Sequence, residues 1–200
     1  MTAKDRIVGL YKAHAAAWDR ERGRDLHEAP WLERFAALLP AGGSVLDIGS
    51  GGGEPVARWL IARGFAVTGV DSSPSLVAMA AARFPGQEWI AADMRTLDLK
   101  RRFDGLIAWH SFFHLAPADQ RGMFARFAAH AGPGAPLMFT SGPEHGEVIG
   151  EWMGEPLYYG SLDPAEYRTL LKANGFGRIS CRPRDPDCGS ATVWLAVRSP

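Results

Sequence analysis

Apolar positions recur along this chain with two spacings, and the alternation between them predicts most of its elements. Across residues 5–22, Ile7, Leu10, Tyr11, Ala15 and Trp18 fall on one face of a helix, with charged residues opposite. A second helical stretch, residues 29–39, opens with Pro30 in its first turn and stops before Pro40, Gly42 and Gly43. Short apolar runs at 44–48, 66–70, 87–91, 105–109 and 136–140 then read as strands, separated by helical spacing at 54–63, 74–83 and 117–131. After Asp163, a capping residue, a further helix runs to Asn174 with Gly175 as its stop, and residues 176–181 and 192–197 read as a closing pair of strands. Between them, residues 141–162 hold five glycines, two prolines, Trp152, Tyr158 and Tyr159 without a clean period. A long irregular segment this aromatic reads as a lid over a site.

A strand-helix-strand rhythm with right-handed crossovers builds an α/β fold: a doubly wound, mostly parallel sheet of about seven strands, helices on both faces, closed by an antiparallel hairpin. The pattern divides the chain into an N-terminal helical cap, residues 1–40, and a main domain, residues 41–200, that carries the lid. Of 200 residues, 46% are apolar and 22% charged, which suits one packed domain. Lys plus Arg and Asp plus Glu both total 22, so no overall field draws the chain to nucleic acid or to an anionic membrane. With no apolar run long enough to span a bilayer, no signal-peptide pattern and only two cysteines, Cys181 and Cys188, the expectation is a cytoplasmic protein. Oligomeric state is left open.

The chemistry concentrates at VLDIGSGGGEP, residues 45–55: a buried strand containing Asp47, then glycines at 49, 51, 52 and 53, then a helix start. Glycines there let the backbone turn and bring a ligand close to main-chain N–H groups at a helix N-terminus. A dinucleotide loop would require a third glycine where Glu54 stands, a carboxylate expected to point toward the pyrophosphate, so a nicotinamide-dependent oxidoreductase is disfavoured. Asp71 ends the second strand 24 residues after Asp47, near the spacing of an acid that takes ribose hydroxyls as donors. His110 and His114 are four apart after a strand and lack the Glu of a metalloprotease helix, so no metal is expected.

The segment resembles the D-x-G-x-G-x-G loop of class I S-adenosylmethionine-dependent methyltransferases, with Asp47, Gly49, Gly51 and Gly53 in place. The resemblance covers residues 44–197 and implies a Rossmann-like fold and methyl transfer from S-adenosylmethionine to a small-molecule acceptor by in-line displacement. A non-catalytic S-adenosylmethionine-binding protein is the alternative. By the same resemblance the cofactor residues are Asp47, Gly49, Ser50, Gly51, Gly53, Asp71, Ser72, Asp93, Met94 and Trp109, with Asp93 on the adenine amino group and Met94 against the ring. Asp47 would answer the cofactor's ammonium. The motifs of nucleobase methylation are missing from residues 107–115, and His114 before Leu115 resembles the pair found in small-molecule members. His110 and His114 are the candidate general bases, since imidazole titrates near neutral pH. Tyr11, Trp18, Ser141, Glu144, Trp152, Tyr158 and Tyr159, with His145 and Glu147, are candidates for acceptor recognition. A bulky side chain filling the space over Gly51 would be incompatible with this reading.

Overall fold

The computed structural model describes residues 2–200. In chain order its elements are α1 (Ala3–Ala13), α2 (Ala15–Glu21), α3 (Ala29–Ala36), β1 (Ser44–Ile48), α4 (Val56–Ala62), β2 (Ala66–Asp71), α5 (Pro74–Arg83) and β3 (Glu88–Ala91). Then follow β4 (Gly105–Ala108), α6 (Pro117–His130), β5 (Pro136–Ser141), β6 (Gly146–Trp152), β7 (Glu155–Ser161), α7 (Pro164–Ala173), β8 (Phe176–Asp185) and β9 (Ala191–Arg198). Seven strands form one sheet in the order β3-β2-β1-β4-β5-β9-β8, in which β9 alone runs opposite to the other six.

The central strands β1, β4, β5 and β9 are buried on both faces, which is why they are apolar at most positions, whereas the edge strands β3 and β8 are largely exposed. Alternate residues divide between two cores. Leu46, Ile48, Leu106, Leu137, Phe139 and Trp194 face α6 and α7, meeting Phe124, Phe127, Tyr167 and Leu171. Val45, Val67, Ile107, Met138 and Val193 face the other way, toward Trp31, Leu32 and Phe35 of α3 and Trp59 and Leu60 of α4. The chain works outward from β1 to β3 and then returns to lay β4 on the opposite side of β1. Strand order therefore reverses between β1 and β4, and a crevice opens beyond their carboxyl ends.

Three expectations change. The helix expected over 5–22 is broken at His14 into α1 and α2. The stretch at 29–39, assigned to the cap, instead delivers α3 into the main core, because Trp31, Leu32 and Phe35 pack against β1 and β4. The lid expected to be irregular is a regular antiparallel hairpin of β6 and β7, with Trp152 opposite Glu155 across the turn. Met153 and Gly154 both hold positive φ, +55° and +73°, the backbone of a two-residue hairpin turn.

Candidate active site

The glycine loop takes its shape from its anchors. Beyond β1, the N–H groups of Gly49 and Ser50 both donate to the Val70 carbonyl, at 2.7 and 3.1 Å, which bends the chain across the end of β2. Gly49 sits at φ +79°, and a β-carbon there would collide with Ser111, whose hydroxyl donates to the Ile48 carbonyl at 2.6 Å. Gly51, at φ +55°, donates its N–H to Asp71 Oδ2 at 2.9 Å, while Asp71 Oδ1 accepts from the N–H of Ser73 at 2.8 Å. Asp71 thus ties the loop to the start of α5. Burial pushes its pKa up, and the N–H groups of Ser73, Gly51 and Ser72 partly oppose that.

Above these strand ends lies a cavity of about 310 Å³. Gly49, Gly51, Asp71, Ser72, Asp93 and Met94 line it, as do both histidines and Tyr11 and Trp18 of the helical cap. Sequence reasoning missed the inner face of α1, Lys4, Ile7 and Val8, together with Arg95, Ser111 and Asp119. The spacing of Ile7 and Tyr11 that predicted the helix was the available signal, since one face of a short helix must cover something.

Several expected residues stand elsewhere. Asp47 is 3% exposed and does not line the cavity; burial, then the neighbouring Asp71, push its pKa up to about 7, and no cation offsets that cost. Ser50 and Gly53 lie behind the lining, and the space at Gly53 is taken by Phe84 and Trp89. Trp109 is turned into the α3–α4 core. Asp93 lines the cavity, but its carboxylate is gripped by Arg95 of its own loop, at 2.7 Å to Oδ2. Glu54 does not aim at the loop: Arg24 and Arg58 bind its carboxylate, so the argument drawn from it against a pyrophosphate fails.

The roof of the cavity is α1 and α2, braced by the hairpin. Trp18 approaches within 2.6 Å of where a Gly51 β-carbon would be, yet Gly51 still faces the cavity beside it, so the indole is a wall and leaves the space open. Next to Trp18, Asp19 receives two hydrogen bonds from Arg83, at 2.5 and 2.6 Å, and Arg83 also donates to the Gly52 carbonyl. On the far side Tyr11 stacks on Trp152 with centroids 5.7 Å apart, and His14 meets Glu155 at 3.1 Å.

The acceptor candidates divide between compartments. A second cleft, about 470 Å³, is lined by Phe113, Ser141, Glu144, His145, Val148 and Tyr159 among others. Ser141 is engaged there by Trp194 and by the Gly142 carbonyl, and Tyr158 is turned away to donate to Glu147 at 2.8 Å. Trp152 lines neither space. His114 lies between the two, its ring 5.4 Å from Tyr11 and 5.2 Å from Tyr159.

Known proteins with this architecture are numerous, although no curated protein matches the chain by sequence. A 1,6-didemethyltoxoflavin-N1-methyltransferase from Burkholderia thailandensis, solved with that compound and S-adenosylhomocysteine, superposes with a TM-score of 0.74 at 22% identity, covering 100% of this chain and 92% of that one. The magnesium protoporphyrin IX methyltransferase of Synechocystis, solved with S-adenosylhomocysteine, gives 0.73 at 18% identity, with 99% and 100% covered. A sugar N-methyltransferase from Streptoalloteichus gives 0.74 at 21%, with 92% of each chain covered. At such identities these likenesses concern the fold. The family model described as Methyltransferase domain matches residues 18–177, from α2 through the start of β8, and the chain belongs to that family.

Proposed function

We propose that this protein transfers the methyl group of S-adenosylmethionine to a small-molecule acceptor. The observation that carries the reading is the convergence on one cavity of the glycine loop, Asp71, and the Asp93–Met94 turn, after three successive parallel strands. The residues fit that cofactor on two further counts. Asp47, behind the lining, is a buried carboxylate that no cation among the described residues offsets, a deficit that an ammonium in the adjoining cavity would relieve across the low-dielectric interior. Asp71 spends only part of its acceptor capacity on Gly51 and Ser73, leaving the remainder for ribose hydroxyls. Two of the three structurally similar methyltransferases described above were solved with S-adenosylhomocysteine, and one of these with 1,6-didemethyltoxoflavin as well.

The cofactor would supply an electrophilic methyl group on a sulfonium. The chain's own residues hold, orient and exclude water. The glycine loop and Asp71 would hold one end, Met94 would pack the base, and Trp18 together with Tyr11, which is backed by Trp152, would close the roof with aromatic surface. Displacement at carbon needs an aligned nucleophile more than a chemical group from the protein, so alignment by these walls can supply much of the rate. His114 is not placed to act directly as a base, because both of its ring nitrogens are already bonded. Free Cys181 and Cys188 are compatible with the expected cytoplasmic location, and among the described residues no helix is long and apolar enough to cross a membrane.

Calorimetric titration with S-adenosylhomocysteine tests the reading. Saturable binding is expected, with no heat from NADH, and a labelled methyl donor offered with amine, phenol and thiol acceptors is expected to yield methylated product. Tight binding without turnover across such a panel would instead mark a non-catalytic binder.

A further inference from the structure

The hydrogen-bond chain behind the cavity has a fixed direction. His114 Nδ1 lies 2.8 Å from the Tyr158 carbonyl oxygen, which can only accept, so Nδ1 carries the proton. In a neutral ring Nε2 then holds a lone pair, and the Tyr11 hydroxyl, 2.9 Å away, must donate to it. Burial pushes the His114 pKa down to about 4, which keeps the ring neutral near pH 7. Tyr11 is raised by burial, then by Tyr159 and Asp71 nearby, so its proton stays on. Stacking on Trp152 holds the phenol ring in place. Tyr11 therefore lines the cavity with the one proton of its hydroxyl committed to His114, leaving its oxygen as an acceptor only.

We propose that Tyr11 selects and orients the methyl acceptor as an obligate hydrogen-bond acceptor, so the acceptor's nucleophilic atom must carry a hydrogen, as an uncharged amine does. Donating that hydrogen sideways to Tyr11 leaves the lone pair of the same atom for the methyl group. As the nitrogen–carbon bond forms the carbon–sulfur bond breaks, S-adenosylhomocysteine leaves neutral, and the amine keeps its hydrogen as a methylammonium that loses a proton to water after release. A thiolate or carboxylate has no hydrogen to give and would meet the Tyr11 lone pairs. His114 is a positioning residue that acts through Tyr11, and the Tyr158 carbonyl sets its tautomer. The inference rests on the methyl-transfer reading and narrows its substrate class.

The test uses the full chain with ¹⁵N-labelled histidine, saturated with S-adenosylhomocysteine. Long-range ¹H–¹⁵N spectra are expected to show His114 neutral and Nδ1-protonated from pH 5.5 to 8, and Tyr11→Phe is expected to shift its Nε2 resonance. Phenol and aniline are then titrated against anisole and N,N-dimethylaniline, which lack the hydrogen. The donors are expected to shift that resonance at concentrations about three- to tenfold lower, the size of one net hydrogen bond, and Tyr11→Phe is expected to erase the difference. An Nε2-protonated or charged His114, an equal response to donors and non-donors, or no response to any probe would overturn the proposal. Calorimetry with S-adenosylhomocysteine alone keeps the two readings apart: no binding there removes the methyl-transfer reading, whereas binding with equal probe responses removes only this one.

Discussion

The floor and the roof of the cavity are built on different principles. The floor is backbone: Gly49 and Ser50 hang from the Val70 carbonyl, Gly51 hangs from Asp71, and the strands beneath are paired on both sides. The roof is side chains meeting across long sequence separations: Tyr11 on Trp152, His14 on Glu155, Asp19 on Arg83. Changes in the floor should therefore cost folding or cofactor affinity outright, whereas changes in the roof should alter exchange.

The largest effect is expected at Gly49→Val. A β-branched residue at φ +79° that must also displace Ser111 should destabilise the protein by about 3 kcal/mol or more, read from the urea midpoint. Next, Asp71→Ala should weaken S-adenosylhomocysteine binding by about 10- to 100-fold, as expected for charged hydrogen bonds of roughly 1.5–3 kcal/mol. An unchanged calorimetric affinity would remove Asp71 from the cofactor site.

Asp47 gives the floor a pH dependence. Its proton is held more tightly in the folded chain, where burial raises the pKa to about 7, than in the unfolded chain near 3.8. Below about pH 4 the group is protonated in both states and costs nothing; as pH rises toward about 7 the folded state loses stability. Asp47→Asn should flatten that part of the stability–pH curve, a chemical-denaturation measurement. If a bound ammonium offsets Asp47, cofactor affinity should move the opposite way and strengthen over the same interval.

The smallest effect belongs to the roof. Asp19→Asn removes the charge opposing Arg83 and should speed S-adenosylhomocysteine release by about two- to tenfold in stopped-flow fluorescence, as expected of a partly exposed ion pair. An effect larger than that of Asp71→Ala would invert the comparison.

The same contrast explains what the sequence disclosed. The floor lies in contiguous motifs whose glycines and acids are demanded by local geometry, so the loop, Asp71 and most strand positions could be read directly. The roof could not, because Asp19 and Arg83 are 64 residues apart and carry no local sign of meeting. The hairpin escaped for another reason. With solvent on both faces, Val148 and Ile149 are adjacent and both about two-thirds exposed, so β6 shows no alternation, and its Met153–Gly154 turn lacks the usual Asn or Asp. Trp109 misled because its position after β4 was right while its ring faces the other core.

The last strand of the sheet bears on how copies of this protein meet one another. β8 leaves one flank unpaired over ten residues, and Arg178, Arg182, Pro183 and Arg184 occupy it. Guanidinium groups would repel the same strand of a second molecule, and the proline withholds an amide hydrogen. Opposite, β3 offers only four residues. Edge-to-edge pairing between the main sheets of two copies is thereby disfavoured at both ends.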